Sequence, residues 1–201
     1  MVVLAGLAFS LALILASYAI NRWLSDNRLR VDRYQLALTA SAVLLLATLA
    51  ESMINPAYEL WQGRKLWQYH VAPLHHGNVS ALAVLIWTAY GVHLYFTRQS
   101  MEIRLSPRFN HNFGKAFIIG FEAPFVFEVI GNLTFLMMSR RYYAYYLPGE
   151  LWHLTSLQVI PIYMLCALLG LIVLRALERL PRRVELPSLL FAGGVLFLLS
   201  G

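Results

Sequence analysis

Two short stretches carry the residues that could do chemistry. "ESMIN" places Glu51 four residues before Asn55, and "EVIGN" places Glu128 four residues before Asn132, each inside a run of apolar residues. In both cases a His follows 21 residues after the Asn, His76 in one and His153 in the other. A carboxyl group held away from water can donate a proton, and a nearby imidazole can accept one. Glu51, Glu128, His76 and His153 are therefore the candidate acid–base set. Such a set suits protonation of an alkene or the shift of a double bond in a lipid or isoprenoid. Asn55, Asn132, Tyr69 and Tyr146 would position the substrate or hold the acids.

The same side chains are also metal donors. Glu51, Glu128, His76 and His153 offer carboxylate and imidazole ligands, and helical bundles host such sites. "ELWH" adds Glu150 three residues before His153, the Glu-x-x-His spacing of carboxylate-bridged metal pairs. Two His on facing helices could instead be axial ligands of a haem, which leaves the Glu and Asn residues unexplained. The plainest reading is that each pair is a bond between helices, worth about 1 kcal/mol. Whether a cofactor is present stays open at this level.

The elements that must position these residues follow from composition. Of 201 residues, 59% are hydrophobic and 13% charged, about half the usual charged share of a soluble domain. Successive apolar runs approach the ~20 residues that cross a bilayer as a helix. The expected fold is an all-α polytopic membrane protein, one transmembrane domain over 1–201. Six spans are expected, at about 2–24, 35–55, 78–97, 115–138, 154–175 and 186–200. The first has no basic n-region or small-residue cleavage site and reads as a retained helix. The single Cys166 allows no disulfide within the chain.

The net charge of +6 fits basic loops facing the cytoplasm, and nucleic acid is not an expected partner. The 1–2, 3–4 and 5–6 connections with their span edges hold twelve of the sixteen Lys and Arg residues. The other four are Arg64, Lys65, Arg140 and Arg141, in the 2–3 and 4–5 connections. That bias places both termini, and the 2–3 and 4–5 connections, on the non-cytoplasmic side. Those two connections are rich in Tyr and Trp, which favour headgroup depth. They read first as an aromatic belt and second as a lipid-binding rim.

The paired motifs belong to a longer correspondence. Residues 43–98 slide onto 120–175 by 77 positions without a gap, with eight identities in 56. They are Glu51/Glu128, Asn55/Asn132, Arg64/Arg141, Tyr69/Tyr146, Leu74/Leu151, His76/His153, Leu94/Leu171 and Arg98/Arg175. A duplicated two-span unit is the expectation: spans 2–3 and 4–5 form a four-helix core, with spans 1 and 6 outside. Two spans per unit give both copies the same orientation, unlike the inverted repeats of many transporters. His93 and Glu122 lie at similar depth on spans 3 and 4 and can pair across helices. An interhelical bond is favoured there over a proton path.

The stretch from Gly131-Asn132 through "GELWH" at 149–153 to Pro161 resembles the emopamil-binding-protein group of sterol isomerases. Those proteins pair spans 2–3 and 4–5 around an intramembrane acid. The resemblance covers under half the chain. It departs in span 3, which has no carboxylate, and in span 2, which lacks a His-x-x-x-Glu pattern. What it implies is acid–base lipid chemistry. The expected function is an integral-membrane enzyme acting on a lipid or isoprenoid in an outward-facing Glu/Asn/His pocket, with membrane lipids as partners. The alternative is a non-catalytic, haem-holding or metal-holding subunit among other membrane subunits.

Overall fold

The computed structural model describes residues 1–200. Six helical segments run along the chain: α1 (Val2–Leu24), α2 (Arg33–Gln62), α3 (Ala83–Arg104), α4 (Asn112–Ser139), α5 (Val159–Glu178) and α6 (Glu185–Leu199). Each falls on an expected span. By length and composition, α1, α2, α4 and α5 can cross a membrane. Thr88, His93, Thr97, Arg98 and Gln99 dilute the apolar character of α3, and α6 has only 15 residues. The chain is thus an α-helical membrane protein with four helices long and apolar enough to span the bilayer.

Boundaries shift where polar residues take over. Hydropathy ends the second span at Asn55, but α2 continues for two further turns to Gln62. Asp32 starts it, its carboxylate accepting from the N–H groups of Tyr34 (3.0 Å) and Gln35 (3.2 Å). Gly63 ends it in the left-handed conformation, and Arg140 ends α4 in the same way. The N–H of Gly63 reaches the carbonyl of Glu59, and that of Arg140 reaches Leu136. These two caps stand 77 residues apart.

The helices pack as neighbours: α1 on α3, α2 on α3, α4 on α5, and α6 against α2. Two glycines allow the closest approaches. A Cβ on Gly91 would lie 2.6 Å from the Cα of Ala40, and one on Gly120 would lie 3.0 Å from the backbone N of Met164. Within α4, residues Ala123–Val129 form a π-helical segment containing Pro124. A widened turn of this kind changes which way the following side chains point, and Glu128 sits in it.

The connections after α2 and α4 are where sequence reading placed loops, and they carry short strands. β1 (Trp67–Tyr69) pairs antiparallel with β4 (Ala144–Tyr146), in the register Trp67 to Tyr146, Gln68 to Tyr145 and Tyr69 to Ala144. Gln68 and Tyr145, 77 apart, face each other at the centre. The ladder extends by the N–H of His70 to Tyr143 (3.0 Å) and of Leu147 to Leu66 (3.0 Å), bonds that exchange under the same offset. A second hairpin pairs β2 (Pro73–Leu74) with β3 (Val79–Ser80).

Because both close glycines meet backbone, Gly91→Ala and Gly120→Ala should each destabilise the protein by about 1–3 kcal/mol through overpacking. Thermal unfolding in detergent checks this. Gly170, with open space around its Cα, is the control that should tolerate Ala.

Candidate functional site

Glu51 from α2 and Glu128 from α4 line one cavity of about 250 Å³. Its walls come mainly from α2, α3 and α5 and are predominantly aliphatic. Along α5 it runs from Val159 to Leu174, about 22 Å at 1.5 Å per residue. Tyr90, Trp67, Tyr146 and Tyr163 bring polar-tipped aromatics to it, and Cys166 also lines it. Arg98 stands at the far end, bonded to Glu178 at 2.5 Å.

The two carboxyl groups differ in how fully they are bonded. Glu51 is buried and accepts from the Tyr69 hydroxyl through Oε1. Its Oε2 is buried with no partner. The indole N–H of Trp87 lies beside Glu51 without an ordinary hydrogen bond. Glu128 accepts from Tyr163 through Oε1 (2.6 Å) and from Thr155 through Oε2. One acid therefore keeps an unfilled acceptor position, while the other is held from two sides.

Tyr69 and Tyr146 stay close to the acids, as the sequence suggested, one beside each. Burial, reinforced by the facing Glu51 carboxyl, holds the Tyr69 hydroxyl well above the usual tyrosine range. Burial and the Glu128 carboxyl do the same to Tyr146. Burial again leads for Tyr143.

Asn55 and Asn132, expected to position a substrate or hold the acids, have their amides bonded elsewhere. They are 0% and 2% exposed and spend their amides on the connections. Asn55 Oδ1 accepts from the N–H groups of Leu66 (2.9 Å) and Trp67 (3.3 Å), and its Nδ2 donates to the Trp67 carbonyl and to Asn78 Oδ1, both at 2.8 Å. Asn132 Oδ1 accepts from Tyr143 (2.9 Å) and Ala144 (3.1 Å), and its Nδ2 donates to the carbonyls of Ala144 (2.9 Å) and Leu154 (2.7 Å). Both are clamps on the strand that follows their helix.

His76 and His153 do not reach the cavity either. His76 is exposed in a turn with φ +58°, and its carbonyl accepts from Lys65 Nζ at 2.6 Å. His153 stacks on Tyr145 at 4.2 Å between ring centroids, and its Nδ1 lies 2.6 Å from the Tyr146 carbonyl. His70 covers the other side of Tyr145 at 5.2 Å. The expected role for these His as partners of the acids, or as paired haem ligands, therefore has no geometry behind it.

The Glu-x-x-His pair also separates. Residues 150–153 form a 3₁₀ turn in which Leu151 and Trp152 have positive φ, so Glu150 and His153 do not share a helix face. Glu150 Oε2 accepts from Ser156 Oγ (2.7 Å) and the N–H of Leu157 (2.8 Å), and the Ser156 bond leads in holding its carboxyl below the usual range. Among the described residues no three His, Cys, Asp or Glu side chains are grouped to hold a metal ion.

Sequence reading missed Trp87, Tyr90, Thr155 and Tyr163. A signal existed for one of them: Val159, Ile162, Tyr163 and Cys166 follow the i, i+3, i+4, i+7 spacing of one helix face. The internal correspondence hides Tyr163, because its counterpart is Ile86. Half the connection aromatics also depart from a belt. Trp67, Tyr69, Tyr143 and Tyr146 are buried as a cover on the site, whereas Trp61 and Trp152 remain about four-fifths exposed.

Two outcomes are expected. Asn55→Ala or Asn132→Ala leaves two buried N–H groups unpaired and should cost about 1–3 kcal/mol, read as a lowered unfolding midpoint. Tyr69, Tyr143 and Tyr146 keep their protons in the folded chain at a pH where an unfolded chain has lost them. Their contribution to stability is therefore whole below the ordinary tyrosine pKa of about 10 and falls as pH rises above it. A pH titration of tyrosinate absorbance should show a late phase that coincides with unfolding. Comparison of the chain with protein-family models, with characterised proteins and with solved structures finds no match.

Proposed function

We propose that the protein is an integral-membrane enzyme that moves a proton on a lipid or isoprenoid substrate, with Glu51 and Glu128 as its acid–base pair. The observation that carries this reading is that two carboxyl groups from equivalent positions of two helices meet one apolar cavity. Ionisable groups inside a membrane are costly and mark function by default. The cavity's length and aliphatic walls suit a long hydrocarbon ligand. In this scheme one carboxyl protonates one alkene carbon, leaving a cation on its partner, and the other carboxyl removes a proton from the allylic carbon beyond that cation. The double bond shifts, and protons and electrons balance.

The same proposal includes the architecture. All six helices span or enter the membrane as one domain. Residues 43–98 and 120–175 are copies of one two-helix unit, an idea supported by caps, clamps and strand bonds that recur at an offset of 77. Both termini face the non-cytoplasmic side, on the strength of the distribution of Lys and Arg.

The substrate need not be identified before the test. Purified protein in nanodiscs of total lipid extract is incubated in heavy water, and lipid masses are followed. Deuterium should enter one lipid class. Glu51→Gln and Glu128→Gln should each cut the rate by about 10²-fold or more while unfolding at the wild-type temperature. If both variants still incorporate deuterium at the wild-type rate, these residues are not the acid and base.

A further inference from the structure

We infer that Tyr90, Glu122 and His93 form a proton path between the carboxyl pair and the end of the bundle where α1 and α3 finish. This rests on the reading of Glu51 and Glu128 as acid and base. The Tyr90 side chain lines the cavity that holds both carboxyls, and its hydroxyl donates to Glu122 Oε2 at 3.3 Å. Glu122 Oε1 lies 3.1 Å from His93 Nε2. The other ring nitrogen, Nδ1, lies 2.9 Å from Ser17 Oγ on α1. Beyond Ser17, Asn21 Nδ2 donates to Ser17 Oγ at 3.2 Å, and Ser100 donates to Asn21 Oδ1.

Each hop conserves protons. His93 takes one on Nδ1 and releases one from Nε2 to Glu122. Tyr90 then takes a proton from Glu122 and, by turning its hydroxyl, gives one to the cavity. The reaction gives such a route a use. When one carboxyl gives a proton to an alkene and the other collects one, the pair ends each turnover with the proton on the wrong partner. Exchange through this route resets it, one proton in and one out, and it is also how deuterium from heavy water would reach the pair. The opposite end is closed by Trp67, Tyr69 and Tyr146, all buried. An amide pair would hold α3 to α4 as well as an imidazole and a carboxyl do. Only the titratable pair also passes protons.

The experiment is infrared spectroscopy of the reconstituted protein on transfer from water to heavy water. The protonated-carboxyl band of the pair is assigned by its loss in Glu51→Gln or Glu128→Gln. Its exchange should slow at least ten-fold in Glu122→Gln and in His93→Gln, which keep hydrogen-bonding capacity but cannot relay. If either fails to fold, Tyr90→Phe, which removes one hydroxyl, should slow the same band. Unchanged exchange in the variants that fold overturns the path, and so does the absence of any protonated-carboxyl band that disappears in either carboxyl variant. Failure of the enzymatic reading would show separately, as deuterium incorporation into lipid that survives Glu51→Gln and Glu128→Gln.

Discussion

The arrangement depends on two buried primary amides. A buried amide must place both its donors and its acceptor lone pairs, and Asn55 and Asn132 do so by gripping the chain that leaves their own helix. Each grip sets the strand that follows, and the two strands then pair with each other. That ladder carries Tyr69 and Tyr146 to the acids and lays an aromatic cover over the cavity. Through the clamps, Tyr69 keeps its place on Glu51, while Glu128 also has Thr155 and Tyr163.

The two halves use one plan with different results. Tyr163, which holds Glu128, corresponds to Ile86, which cannot hold Glu51. Thr155, the second partner of Glu128, corresponds to Asn78, which is already taken by Asn55. The first half therefore leaves an oxygen of Glu51 free while the second half binds its acid fully. Under the duplication proposed above, two like carboxyls have been given unlike environments. Unlike surroundings for two carboxyls are what the acid–base reading proposed above needs.

Much of the frame was legible in the sequence. Runs of apolar residues locate the helices, four of which are long and apolar enough to cross a membrane. Glu51, Glu128, Tyr69 and Tyr146 stand out in the sequence because scarce polar residues recur at one spacing, and the structure brings both acids to one cavity with a Tyr beside each. Asn55, Asn132, His76 and His153 recur just as clearly, yet they serve backbone geometry. A repeated polar residue signals a repeated constraint, and spacing alone cannot separate a clamp from a catalyst. The positive φ values at His76, Leu151 and Trp152 could not be read from these residue types, since left-handed backbone favours Gly or Asn. Those turns carry His76 and His153, neither of which lines the cavity.

The ladder between β1 and β4 joins residues about 77 apart in sequence. Chains emerge from the ribosome N-terminal part first. Through the synthesis of α3 and α4, β1 waits with an open edge, and Glu51 faces a wall that does not yet exist. Only the arrival of the second connection covers both. The late half thus works as a built-in chaperone for the early one, and the interval between them is when an unpaired strand is most open to pairing with the wrong neighbour.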